Sequence, residues 1–105
     1  GTVSYSSIIN IDVNQIPTTF ELSQNFPNPF NPSTSIKFSV DENGPAKLLI
    51  YNLLGQKVHT LFDEVAEVGT IYKVNFNAVN LNSGVYFYSL IQNSKTLTKK
   101  MTLLK

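Results

Sequence analysis

The sequence contains no cysteine and no arginine, and only one histidine, His59. Without cysteine there is neither a disulfide framework nor a thiolate metal site. The fold must then rest on its hydrophobic core. All eight basic residues are lysine. No guanidinium fork is available for two-point recognition of phosphate or guanine, which argues against sequence-specific nucleic-acid readout. Charge of either sign is sparse, at 14% of residues with a net charge of +1, against about 25% charged residues in an average domain. Asn, Ser and Thr carry the solubility instead, as is common in extracellular β-domains. No apolar run is long enough to cross a membrane. The densest, Ser83–Ile91, is less than half of what a spanning helix needs. The N-terminus shows no signal-peptide pattern, so a secreted reading places the export information upstream or at the C-terminus. A chain of 105 residues makes one domain and buries about 65% of the surface its unfolded form exposes, enough for a core without staples.

What is present reads as β-structure. In Ser83–Ile91 both the even positions (Tyr86, Tyr88, Leu90) and the odd ones (Val85, Phe87, Ile91) are apolar. This predicts a central strand covered on both faces. Ala46–Leu53 reads the same way. Ser35–Val40 alternates, with Ile36, Phe38 and Val40 inward, and Tyr72, Val74 and Phe76 repeat the pattern. Phe20–Leu22 is a short edge strand, and Asp41–Pro45 is a turn. Lys57–Phe62 is assigned to a strand and Asp63–Glu67 to a turn. Lys95–Lys105 is a last strand with Leu97, Met101 and Leu103 on one face, and Lys99, which breaks that face, is expected near a sheet end. Between Asn25 and Ser33 lie three prolines, which forbid helix and remove ladder donors. This loop should be stiff and extended, with Phe26 and Phe30 docked on the core. The expected fold is all-β: an immunoglobulin-like antiparallel β-sandwich of about seven strands, with Tyr86 placed for a tyrosine corner. Residues 1–16 read as a linker, or as the last strand of an upstream fibronectin-type module, with Val3–Val13 either in that module or in this sheet. Residues 17–105 form the domain itself.

Chemistry is hard to find. A catalytic histidine needs a nucleophile and an orienting partner, and His59 reads as a half-exposed structural residue. Asp41-Glu42 and Asp63-Glu64 with Glu67 could serve glycoside hydrolysis or bind calcium, but they read as solvated turn and loop. No metal or other cofactor is expected. Asn31-Pro32-Ser33 is no glycosylation acceptor because proline occupies the middle position. Phe and Tyr number seven and five. Tyr51, Tyr72, Tyr86 and Tyr88 are the candidates for a sugar-stacking platform, though alternating aromatics in a small sandwich usually belong to core or rim. The lysines Lys99, Lys100 and Lys105 solubilise a terminal edge strand. An exposed edge is also a docking surface for strand addition, so Leu97–Lys105 is expected to offer main-chain pairing, with Lys100 and Lys105 read by side chain.

Five motifs run in order to the C-terminus: Pro27-Asn28-Pro29-Phe30-Asn31-Pro32, Ile36-Lys37-Phe38, Leu49 through Val58, Ser83 through Tyr88, and Lys99-Lys100-Met101-Thr102-Leu103-Leu104-Lys105. Together they resemble the type A C-terminal sorting domain of the bacterial type IX (Por) secretion system, over about Pro17–Lys105. The resemblance implies an immunoglobulin-like domain at the end of a larger exported protein. It implies recognition by the outer-membrane translocon once the cargo is in the periplasm, and a secreted or cell-surface destination. It further implies removal by a sortase-like cysteine protease, with attachment of the cargo to anionic lipopolysaccharide. Positions matching the signal motifs are Pro27, Asn28 and Pro29, then Gly84, Val85 and Tyr86, then Lys99, Lys100, Met101 and Lys105. Cleavage is expected in Asn14–Thr19. Two other readings of the sequence stand beside this one: a carbohydrate-binding module and a structural spacer of an extracellular enzyme. The exposed edges would also suit a homodimer.

Overall fold

The computed structural model describes residues 17–105; the reading of Val3–Val13 as a strand lies outside the described residues. Among the described residues seven strands follow one another: β1 (Glu21–Leu22), β2 (Ser33–Ser39), β3 (Gly44–Tyr51), β4 (Lys57–Ala66), β5 (Tyr72–Asn77), β6 (Gly84–Gln92) and β7 (Lys95–Leu103). They form a three-stranded sheet in the order β1-β2-β5 and a four-stranded sheet in the order β4-β3-β6-β7. Every pairing between strands is antiparallel. This is a seven-strand immunoglobulin-like sandwich in which the fourth strand pairs with the third rather than with the fifth.

The core follows from alternation. β2 turns Ile36 and Phe38 inward, with Val40 just beyond, and all three are buried. Tyr86, Tyr88 and Leu90 of β6 meet them from the other sheet, with Leu48 and Ile50 of β3 and Met101 and Leu103 of β7. On the side where β4 approaches β5, three rings close the sandwich. Phe38 and Tyr72 stack at 5.1 Å, and Phe62 stands edge-on to them at 5.0 and 5.3 Å. Such pairs contribute about 0.5–1.5 kcal/mol each beyond the area they bury.

Several expectations need correction. β4 does not stop at Phe62; it continues to Ala66, with Asp63 opposite Lys47 and Glu64 opposite Ala46. The acids look like a loop in sequence because this is an exposed edge strand, where one polar face and one polar edge meet solvent. β3 ends at Tyr51 rather than Leu53. Asn52 Oδ1 accepts from the amides of Leu54 and Gln56 at 2.9 and 3.0 Å, and Gly55 turns the chain at φ +81°. β6 is fully covered on one face only, since Val85, Phe87 and Ile91 remain half-buried. Phe30 docks on the core at 2% exposure, near Phe76, but Phe26 is 80% exposed. Lys99 lies mid-strand opposite Tyr88, not at a sheet end. It is accommodated because β7 is a sheet edge, where the long aliphatic stem lies beside Leu22 and Leu97 in an open lateral groove.

Candidate functional site

The proline loop and the last strand form one unit. The loop begins on the small sheet, where Phe26 and Ser35 exchange backbone hydrogen bonds of 2.9 Å in both directions. It then crosses to the large sheet. The Phe30 amide donates to Thr102 O, and the Leu104 amide donates to Phe30 O, both at 3.0 Å. Asn28 Oδ1 accepts from the Thr102 amide at 3.0 Å, and Gln24 Nε2 donates to Lys100 O at 2.7 Å. The outward main-chain groups of β7 from Lys100 O to the Leu104 amide are therefore already used. Pro27 and Pro29 are exposed between these contacts, where proline offers no donor to a foreign strand. This corrects the expectation that Leu97–Lys105 presents an open edge along its whole length. The opposite edge, β4, carries two register shifts, and such bulges likewise discourage edge-to-edge pairing.

A buried tyrosine ties the start of this loop to the core. Tyr88 Oη donates to Ser23 O at 2.7 Å and accepts from the Asn25 amide at 2.8 Å. The side chain has 0% exposure. Burial pushes its phenol up to about 12, against the smaller opposing pull of the Asn25 amide. Asn25 itself is buried and donates to Thr34 Oγ1 and Pro27 O. Sequence reading missed this pair because Asn25 looks like one more polar loop residue.

The C-terminus closes against the start of β6. Gly84 has φ +154°, a conformation L-residues rarely adopt, yet a Cβ there would meet nothing within 4 Å. Backbone freedom, not space, is what glycine supplies. Tyr86 Oη donates to Asn82 O at 2.7 Å, which completes the expected tyrosine corner. The Lys105 amide donates to Ser83 Oγ, and its Nζ donates to Val79 O at 2.7 Å.

These contacts divide the sequence-predicted positions. Tyr86 and Met101 are core residues, Gly84 shapes the backbone, and Asn28 and Lys105 clamp the last strand. Val85 and Lys100 lie on the outer face of the large sheet, where sequence reading had no means to group them with residues far away in the chain. There the cross-strand partners Lys57, Tyr51, Phe87 and Lys100 form one row over β4, β3, β6 and β7. Val85 lies opposite Thr102 on the same face. Leu53 and Leu54, 68% and 82% exposed, stand beside Gly84 and Val85 around a shallow hollow at this end. The result is a half-exposed apolar face bordered by two lysines.

The other candidates lose their chemistry. Tyr86 and Tyr88 are buried and Tyr72 is stacked in the core, so the four tyrosines form no sugar platform. His59 is exposed with its ring 5.4 Å from Phe76. Lys95 bonds to both Asp41 and Glu42, the latter at 2.7 Å. That ammonium holds both carboxyls below their usual range. No cluster of three metal-ligating side chains occurs among the described residues. No helix among them is long and apolar enough to cross a membrane.

A search among curated proteins found no match. The family model for the secretion system C-terminal sorting domain matches residues 24–103, from Gln24 at the head of the proline loop to the end of β7. The chain belongs to that family, and carries a sorting signal of the type IX secretion system.

Proposed function

We propose that the outer-membrane type IX translocon reads the outer face of the four-stranded sheet at its Gly84 end. Val85, Phe87 and Lys100 make the contact, with Tyr51, Leu53 and Leu54 beside them. Pro27, Asn28, Pro29, Gly84, Tyr86, Lys99, Met101 and Lys105 act by holding this face in shape rather than by touching the receptor. The observation that carries the reading is the state of the last strand. Its edge is closed by Asn28 and Phe30, while the face beside it stays apolar and half-exposed. An apolar centre with a cationic rim suits a receptor surface that is apolar with acidic borders.

The domain is then a non-catalytic address on an upstream cargo that passes through the periplasm to the cell surface or medium. Removal by a sortase-like cysteine protease would cut before Pro17. Pro17 O already accepts from the Gly69 amide at 2.9 Å, and Thr19 O accepts from Ser39 Oγ at 2.7 Å, so these residues are held against the domain. Attachment of the cargo to surface lipopolysaccharide would follow that cut. Self-association through an edge strand would fall to the outer edge of β5, since β7 is capped from Lys100 to Leu104 and β4 is bulged.

The test is secretion of a reporter fused upstream of the 105-residue chain. Deleting residues 99–105 would remove Met101 and Leu103 from the core, so point substitutions discriminate better. Phe87→Ser with Lys100→Glu should leave the reporter inside the cell while melting of the purified chain shows a retained fold. Normal export of that variant refutes the assigned face. Normal export after removal of the whole domain would support a spacer instead.

A further inference from the structure

The outer face of the three-stranded sheet carries a second surface, on the other side of the sandwich and independent of the sorting reading. Cross-strand partners lie on it in rows. One holds Phe26, Ser35 and Asn75, and the next holds Ser23, Lys37 and Lys73. Lys37 and Lys73 stand directly opposite each other, an arrangement of like charges that a sheet disfavours. Both are exposed. The ion pairs found among the described residues belong to Lys95, so neither lysine is in an ion pair with a described carboxylate. Glu21 lies one row further on, opposite Ser39. Beside the lysines stands Phe26, 80% exposed, with its backbone fixed by two hydrogen bonds to Ser35. A large apolar ring is thus held rigidly in water. Ser23, Gln24, Phe26, Ser35, Lys37 and Lys73 line a groove of about 340 Å³, at the small end of ligand sites and about the size of one or two sugar units.

We infer that this groove binds an acidic polysaccharide of the uronic-acid type. The Phe26 ring stacks on the C–H face of a sugar. A carboxylate lies between Lys37 and Lys73 and relieves their repulsion. Sugar hydroxyls donate to Gln24 Oε1, whose amide nitrogen is held by Asn25 and Lys100, and to Ser35 Oγ, which itself donates to Asn75 Oδ1. An acidic peptide fits less well. Extended peptides gain affinity on sheets by main-chain pairing at an edge, and a strand added along the outer edge of β5 would lie beside Lys73 but across β2 from Phe26. Nucleic acid fits less well again, since two lysines and one ring neutralise and stack too little of a charged strand.

The test is affinity electrophoresis of the 105-residue chain through gels containing polygalacturonate or, as a neutral control, dextran. Polygalacturonate should retard the chain and dextran should not. Phe26→Ala, and separately Lys37→Gln with Lys73→Gln, should each weaken retardation at least tenfold without lowering the melting temperature, because all three side chains are exposed and the lysine pair is mutually repulsive. Reporter secretion should be unaffected by either variant. No retardation, equal retardation by dextran, or retardation indifferent to Phe26→Ala would overturn the inference, the last by showing a diffuse charge effect. Loss of secretion in these variants, with no glycan binding by the parent, would also overturn it and mark the face as a protein-docking surface.

Discussion

Tyr88→Phe tests how the proline loop is held to the rest of the domain. The substitution keeps the buried ring and deletes one oxygen. Two backbone groups lose their partner: the Asn25 amide, in a residue 2% exposed, and Ser23 O, in an exposed residue. A buried polar group left without a partner costs about 1–3 kcal/mol. Asn25 should show most of that range and Ser23, which can turn to water, the lower end. The sum is about 2–4 kcal/mol, a large part of the roughly 5–15 kcal/mol that holds a domain together. For a domain of this size, melting should fall by about 10–30 °C. Circular dichroism melts measure it, and hydrogen exchange at the Asn25 amide locates it. The phenol also supplies a pH signature. Its folded value of about 12 lies above the ordinary value of about 10, so the folded state holds the proton more tightly. That stabilisation is complete below pH 10 and is lost as pH rises towards 12. The gap between parent and variant should therefore narrow across that window. A loss under about 0.5 kcal/mol, or a gap that stays constant with pH, would refute the reasoning.

Two further substitutions probe the turns that frame the sandwich. Gly84→Ala should lower stability by about 1–3 kcal/mol, through backbone strain alone. Urea unfolding should show a lower midpoint with an unchanged slope, and an unchanged midpoint would remove glycine's assigned role. Lys95→Met should raise the titration of the Asp41 carboxyl and, less completely, of Glu42, which the Asn93 side chain also holds low, as followed by NMR. In the parent these carboxyls titrate low, so the contribution of the Lys95 pairs is present at neutral pH and disappears as pH falls through the lowered values. Titration of Asp41 that does not move in the variant would contradict that pairing.

Local pattern was enough to read much of the sandwich, because alternation reports which side chains face inward whatever they face. Ile36, Phe38 and Val40 are all buried as their spacing requires, and the run Ser83–Ile91 falls on the central β6, Gly84–Gln92. The tyrosine corner was legible too, since a turn and a tyrosine four residues apart make that contact within one short segment. The misread elements are those whose environment is set by distant chain. Asp63 and Glu64 resemble a loop because nothing nearby shows that Lys47 and Ala46 lie across from them. Phe26 and Phe30 are equivalent in sequence, yet the loop changes sheets between them and buries only the second.

The order of apolar, proline and glycine residues by itself determined an all-β domain, its turns and its inward faces, because these depend on side-chain period and backbone freedom. Only the tertiary structure decided what the last strand offers a partner. Asn28 and Phe30 reach β7 from more than seventy residues away and occupy its edge, while the sheet face beside it stays half-exposed. Edge hydrogen bonds are satisfied by whichever segment the fold brings alongside, and no local pattern records which segment that is.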